Sequence, residues 1–201
     1  MEGTILLTTA YLPPVEYFAH FLNAGRILIE REENYLKQSF RNRCCILTAD
    51  GPQVLSVPVY LGSIHKTPVK EIRIDYSKRW QQVHLGAMKS SYSSSPFFLY
   101  YFEIIEKIIL TRHEFLLDLN LELLEAMLRI IKIDVSVSYT TEFKPVNKSE
   151  NDLRYLIGPK KKSAYTPKRY LQVFNPDGGF VPRLSIIDLV FNTGPEAKMY
   201  L

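Results

Sequence analysis

Residues 35–59, YLKQSFRNRCCILTADGPQVLSVPV, constrain the fold more than any other stretch of this chain. Two β-capable runs, Cys44-Cys45-Ile46-Leu47 and Val54-Leu55-Ser56-Val57-Pro58-Val59, flank Ala49-Asp50-Gly51-Pro52. A Gly- and Pro-bearing break between two such runs predicts a β-hairpin. Lys37, Arg41, Asn42 and Arg43 come immediately before it. Cations and an amide anchored beside a sheet form a candidate anion-binding edge. Solvated loop residues would leave the same pattern, so both readings stand at this stage.

Around this centre the chain reads as alternating elements. Residues 4–9 (TILLTT) are β-branched and apolar, as in a buried strand. Pro13-Pro14 ends that strand and opens a helix over residues 15–24, whose apolar positions Val15, Phe18, Phe21 and Leu22 share a face. Gly25 stops it, and residues 26–30 (RILIE) form a second strand. This order predicts a right-handed crossover between parallel strands, with ligands expected beyond their carboxyl ends, near residues 11–14 and 31–34. After the hairpin come a broken loop carrying His65 and Lys66, a short strand at 71–74, and helices at 78–91, 97–110 and 115–131. Residues 135–139 (VSVSY) alternate like a strand, residues 140–162 read as an exposed loop or lid, and residues 165–174 suggest another strand. Asp177-Gly178-Gly179 turns the chain into a closing helix at 184–191, with Ser185 as its cap. The expectation is a single α+β (or α/β) domain over residues 1–201: a β-rich part (1–75) with a mixed sheet, a helical part (76–133), then strand, loop and closing helix (134–201).

Composition narrows the function classes. The net charge of +4 suits an anionic small molecule and falls short of the dense basic surface of a nucleic-acid binder. No apolar run approaches a membrane span and no signal segment opens the chain, so a cytoplasmic protein is expected. The adjacent Cys44 and Cys45 point to opposite faces of a strand and read as reduced, inert thiols. The four histidines are scattered without metal-ligand spacing, so no metal site is expected. Lys160-Lys161-Lys162 follows Gly158-Pro159 without the glycine spacing of a phosphate loop and reads as a solvated run.

Several stretches together resemble the WbqC-like family of bacterial proteins. They are Tyr11-Leu12-Pro13, Tyr35-Leu36-Lys37, Asn42-Arg43, residues 55–59, Ile74-Asp75 with Trp80 and His84, Tyr92 with Pro96-Phe97, Tyr170-Leu171-Gln172, and residues 184–194. The likeness covers nearly the whole chain. One departure is Thr9-Ala10, where the family tends to carry Gln-Pro after the first strand. The resemblance implies a link with O-antigen or other surface-polysaccharide synthesis, and one role suggested by it is transfer of an acyl or aminoacyl group to an amino sugar.

Candidate chemistry follows from residue type and spacing. His84 lies one helical turn after Trp80, and a histidine near neutrality can take a proton from a sugar amine or hydroxyl. The bland alternative is a histidine bound to backbone while Trp80 fills the core. Asp188 stands on an apolar helix one turn before Asn192; buried, it would need a cation such as Arg43. The expected site thus pairs His84 and Asp188 as catalytic groups with Tyr11, Lys37, Asn42, Arg43, Lys66, Trp80, Tyr92 and Asn192 as substrate contacts. The expected ligand is an anionic small molecule such as a sugar nucleotide. An acyl-carrier, coenzyme A or glycine-rich nucleotide signature is missing from the sequence. A binding or scaffold protein of the same glycan pathway is therefore the alternative to a transferase.

Overall fold

The computed structural model describes residues 3–60, 66–146, 151–174 and 179–201. His65, Asp177 and Gly178 lie outside the described residues. The chain folds as a mixed α+β structure. Strand β1 (Thr4–Thr8) leads through Pro13-Pro14 to the short helix α1 (Val15–Ala19), and β2 (Arg26–Glu30) returns parallel to β1, from Thr4↔Arg26 to Thr8↔Glu30. The hairpin is β3 (Arg43–Thr48) and β4 (Gly51–Ser56). Three long helices follow: α2 (Trp80–Tyr92), α3 (Phe98–Leu110) and α4 (Leu116–Ile131). Strand β5 (Ser136–Tyr139) then joins β2 in parallel, and α5 (Ile186–Thr193) closes the chain. Among the described residues the sheet order is β1-β2-β5, with the hairpin as a separate two-stranded sheet.

Local chemistry explains the ends of these elements. Gly51 turns the hairpin at φ 104, a region that glycine enters without steric cost, and the Thr48 hydroxyl donates to its carbonyl. Ser185 caps α5: its hydroxyl accepts from the Ile187 amide and donates to the Leu12 carbonyl at 2.7 Å. Gly194, at φ 56, follows α5 so closely beneath Phe97 that an added Cβ would overlap the ring.

Three predicted elements differ. Helix α1 stops at Ala19, and the chain continues to Leu22 in tight turns whose amides bond three residues back. Residues 71–74 form no strand: Val69–Glu71 is a 3-10 turn, while Arg73 and Ile74 make isolated bridges to Phe115 and Val59. Residues 165–174 are irregular, because their inward side chains bond to α5 and a neighbouring loop rather than to a sheet.

The carboxyl ends of β1 and β2 are plugged rather than open. Arg154, about 1% exposed, bonds Glu30 at 2.8 Å and Asp152 at 2.6 Å. Arg41 turns inward to Glu33 at 2.6 Å. Residues 151–153 run along the outer side of β1, with the Leu6 amide donating to Asn151 and the Leu153 amide to Leu6. These buried ion pairs take the ligand position expected at 31–34, while the start of α5 covers 11–14, the Ser185 hydroxyl donating to the Leu12 carbonyl and the Ile186 amide to Pro13; a pocket among the described residues lies elsewhere.

Candidate functional site

A pocket of about 680 Å³ opens between the hairpin and the start of α2, the size range of small-molecule sites. Three segments build it. The loop before β3 contributes Lys37 and Asn42, and the first residue of β3 is Arg43; the strand β4 and its continuation contribute residues 53–59; Asp75, Lys78, Arg79, Trp80, Val83 and His84 close the other side. Reciprocal bonds pin the first two together: the Asn42 side-chain amide donates to the Val57 carbonyl and the Val57 amide to the Asn42 carbonyl, both at 2.8 Å. The Asp75 amide donates to Pro58, which fixes the approach to α2.

The pocket is cationic and under-satisfied. Lys37, Arg43, Lys78 and Arg79 face a single carboxylate, Asp75, whose pKa hydrogen bonds from Ser77 hold below the usual range. No side chain caps the N-terminus of α2 and no acid stands in its first turn. Free amides and the helix dipole there favour an anion. Asn42 Oδ1, Arg43 Nε and Trp80 Nε1 are buried without a hydrogen-bond partner. Asn42 is 8% and Trp80 5% exposed, so neither atom is satisfied by bulk water. Buried donors and acceptors without partners are costly, and all three belong to residues that line this pocket.

His84 is held on both sides. It is 3% exposed and its ring packs edge-on against Trp80 at 5.1 Å. It bonds the Ser56 backbone, and the Tyr11 hydroxyl meets Nδ1 at 2.9 Å. With a ring N–H given to the Ser56 carbonyl, Nδ1 accepts from Tyr11. Burial drives the His84 pKa down to about 4, so the ring is neutral at pH 7. Tyr11 is fully buried behind it, its hydroxyl kept protonated by desolvation.

Lys37, Asn42, Arg43, Trp80 and His84 therefore come together, with Tyr11 behind them. The other expected residues do not join them. Lys66 is exposed and lies outside the pocket lining. Asp188 is fully buried in a second cluster, where it accepts from the Tyr170 hydroxyl at 2.6 Å, from Gln172, and from Tyr92. Burial raises its pKa while these donors lower it. Its partners are neutral donors, and the Arg43 pairing expected from the sequence is not made. Asn192 donates back to the Asp188 carbonyl and the Leu47 amide donates to the Tyr92 hydroxyl, so both serve this interior cluster. Arg41 is likewise withdrawn from the cationic edge. Lys78 and Arg79 carry the signal missed in the sequence: two adjacent cations immediately before a helix whose first turn lacks an acid.

Cys44 is buried and Cys45 half-buried, both as free thiols whose pKa burial raises. Among the described residues no helix is long and apolar enough to cross a membrane. No solved structure matches the chain. The Mycobacterium tuberculosis (strain ATCC 25618 / H37Rv) protein Rv1507c, whose name describes it as uncharacterized, is 26% identical over 227 residues, covering 100% of this chain and 98% of that protein. The model of the WbqC-like protein family matches residues 9–200, and the chain belongs to that family.

Proposed function

We propose that this protein binds a phosphate-bearing amino sugar, such as a sugar nucleotide, in the pocket between the hairpin and α2, and that it serves surface-polysaccharide synthesis. The unpartnered trio Asn42 Oδ1, Arg43 Nε and Trp80 Nε1 carries this reading. An amine or hydroxyl of the sugar would donate to Asn42, and ring or phosphate oxygens would accept from Arg43 and Trp80. Lys37 and Arg43, in the same lining, would take the phosphate charge of the sugar nucleotide.

In the transferase form of this reading, an acyl or aminoacyl group passes to the sugar amine. The nitrogen–carbon bond forms, the donor's acyl bond breaks, and the amine proton leaves to a base. His84 would be that base by position, after exchanging its Tyr11 bond for the substrate. Its depressed pKa makes it a weak base, so turnover decides between this form and binding without chemistry.

The test is titration of the purified chain with UDP-linked amino sugars, followed by melting temperature and calorimetry. Wild type should be stabilised by the ligand. Trp80→Phe, which keeps a ring and removes the N–H, should weaken binding about two- to tenfold, the worth of one hydrogen bond. Arg43→Ala should weaken it by about tenfold or more, as loss of a charged donor does. A melting temperature that no sugar nucleotide moves would overturn the reading. Product formation from an activated acyl donor would separate transferase from binder.

A further inference from the structure

The pocket follows the free edge of a strand. Residues 53–56 of β4 all line it, although successive side chains of a strand point to opposite faces, as a hollow lying against the edge allows; beyond Ser56 the edge is taken, the Asp75 amide donating to the Pro58 carbonyl and the Tyr60 amide to Arg73. The register identifies which backbone groups face it. Cys45 opposes Val54 and Arg43 opposes Ser56. The Cys45 carbonyl accepts from Ser185, outside the hairpin. Cys45, and with it Val54, is therefore a position whose N–H and C=O turn away from the ladder. The same alternation turns Ser56 outward, where its backbone meets His84. The Val54 N–H and C=O and the Ser56 N–H remain toward the pocket, spaced about 7 Å apart along the edge.

The two ends of this edge differ in chemistry. Near Pro58, which is bonded to Asp75, stand Lys78, Arg79 and the start of α2. Near Pro52 a second pocket of about 240 Å³ begins; it shares Arg43 and Val54 with the first and is lined by Phe40, Cys45, Pro182, Leu184 and Arg183, whose guanidinium donates to the Gly158 and Lys161 carbonyls. Charge at one end, a row of backbone donors and acceptors between, and an apolar recess at the other describe the shape of one ligand class. Resting on the reading of this site given above, we propose that the groove also receives the co-substrate side of the reaction, the phosphopantetheine arm of a short acyl thioester. Its phosphate lies at the start of α2, its amides pair with the β4 edge as an added strand would, and its acyl end enters the apolar recess. The volume suits a small molecule better than a protein strand. Backbone recognition also accounts for the missing coenzyme A signature, since an edge amide is supplied by any residue but proline.

Calorimetry on the full chain with coenzyme A and with adenosine 3′,5′-bisphosphate, which lacks the arm, tests this. Coenzyme A should bind at least about tenfold tighter, as two or more hydrogen bonds provide, and a short acyl form tighter still. Val54→Pro removes an N–H that the ladder does not use and should weaken coenzyme A about fivefold, sparing the bisphosphate. 4′-Phosphopantetheine binding as tightly as coenzyme A would indicate a protein-borne arm; coenzyme A binding tighter would indicate the free nucleotide. Equal affinity for coenzyme A and the bisphosphate overturns the proposal even if Val54→Pro fails to fold, and so does tighter binding of an extended acidic peptide. If a UDP-linked amino sugar still binds, only the arm falls; if neither binds, the site itself falls.

Discussion

His84 shows how one buried side chain sets a pH window. An unfolded histidine titrates at about 6.5, whereas burial drives the folded value to about 4. Between those values the unfolded chain binds the extra proton, so stability is complete above about pH 6.5 and falls as the pH drops toward 4. The expected loss over that window is about 3 kcal/mol, read from denaturant melts at pH 7.5 and 4.5. His84→Ala should flatten this dependence and cost about 2–4 kcal/mol at neutral pH, because it empties a buried site beside Trp80 and strands the Tyr11 hydroxyl. The sequence supplied His84 next to Trp80 as a plausible base, and it also supplied the bland alternative. The bond to Ser56 could not be seen in it, since the partner is a backbone group 28 positions away in the chain, His84 less Ser56. Asp188 was opaque for a related reason: its partners are neutral hydroxyls and an amide, which leave no charge pattern to read.

At the scale of elements, sequence periodicity was most informative where burial is one-sided or helices are long. Helices α3 and α4 begin at Phe98 and Leu116, each one residue from the positions their apolar spacing predicts, and β1 and β2 pair in parallel as the crossover order requires, whereas the place of β5 beside β2 is not written in its alternation. It failed where isolated side chains substitute for a ladder. Tyr170 and Gln172 alternate inward like a strand, yet Gln172 bonds Val181 through both ends of its amide. The pocket was half legible: cations before a hairpin and an aromatic–histidine pair are visible in the chain, but the strand edge that connects them is a property of backbone. The junction after α5 gives a prediction at this scale. Gly194→Ala must both leave φ 56 and press a methyl into Phe97, which itself donates its amide to the Phe191 carbonyl. A loss of about 2–4 kcal/mol is expected, measured by urea unfolding; a variant as stable as wild type would show that the α3–α5 junction can relax.

Across the molecule, the last third of the chain is tied to the first by buried charge. Glu30 ends β2, Asp152 belongs to the segment beside β1, and Arg154 binds both with almost no exposure. Removing one member of such a group leaves the others charged and unpaired, so Arg154→Ala should cost about 3–5 kcal/mol, seen as a drop in melting temperature. Ligand binding at the hairpin pocket should survive below the new transition, because none of the network's members lines it.

That same arginine anchors residues 151–153 along the outer side of β1, where they occupy the Leu6 amide and carbonyl. An uncovered strand border is a template on which neighbouring molecules add further strands. Loosening this clasp would therefore change how the protein behaves in company before it changes how each copy is folded: solutions of Arg154 variants should turn cloudy on concentration while their helical signal is still intact.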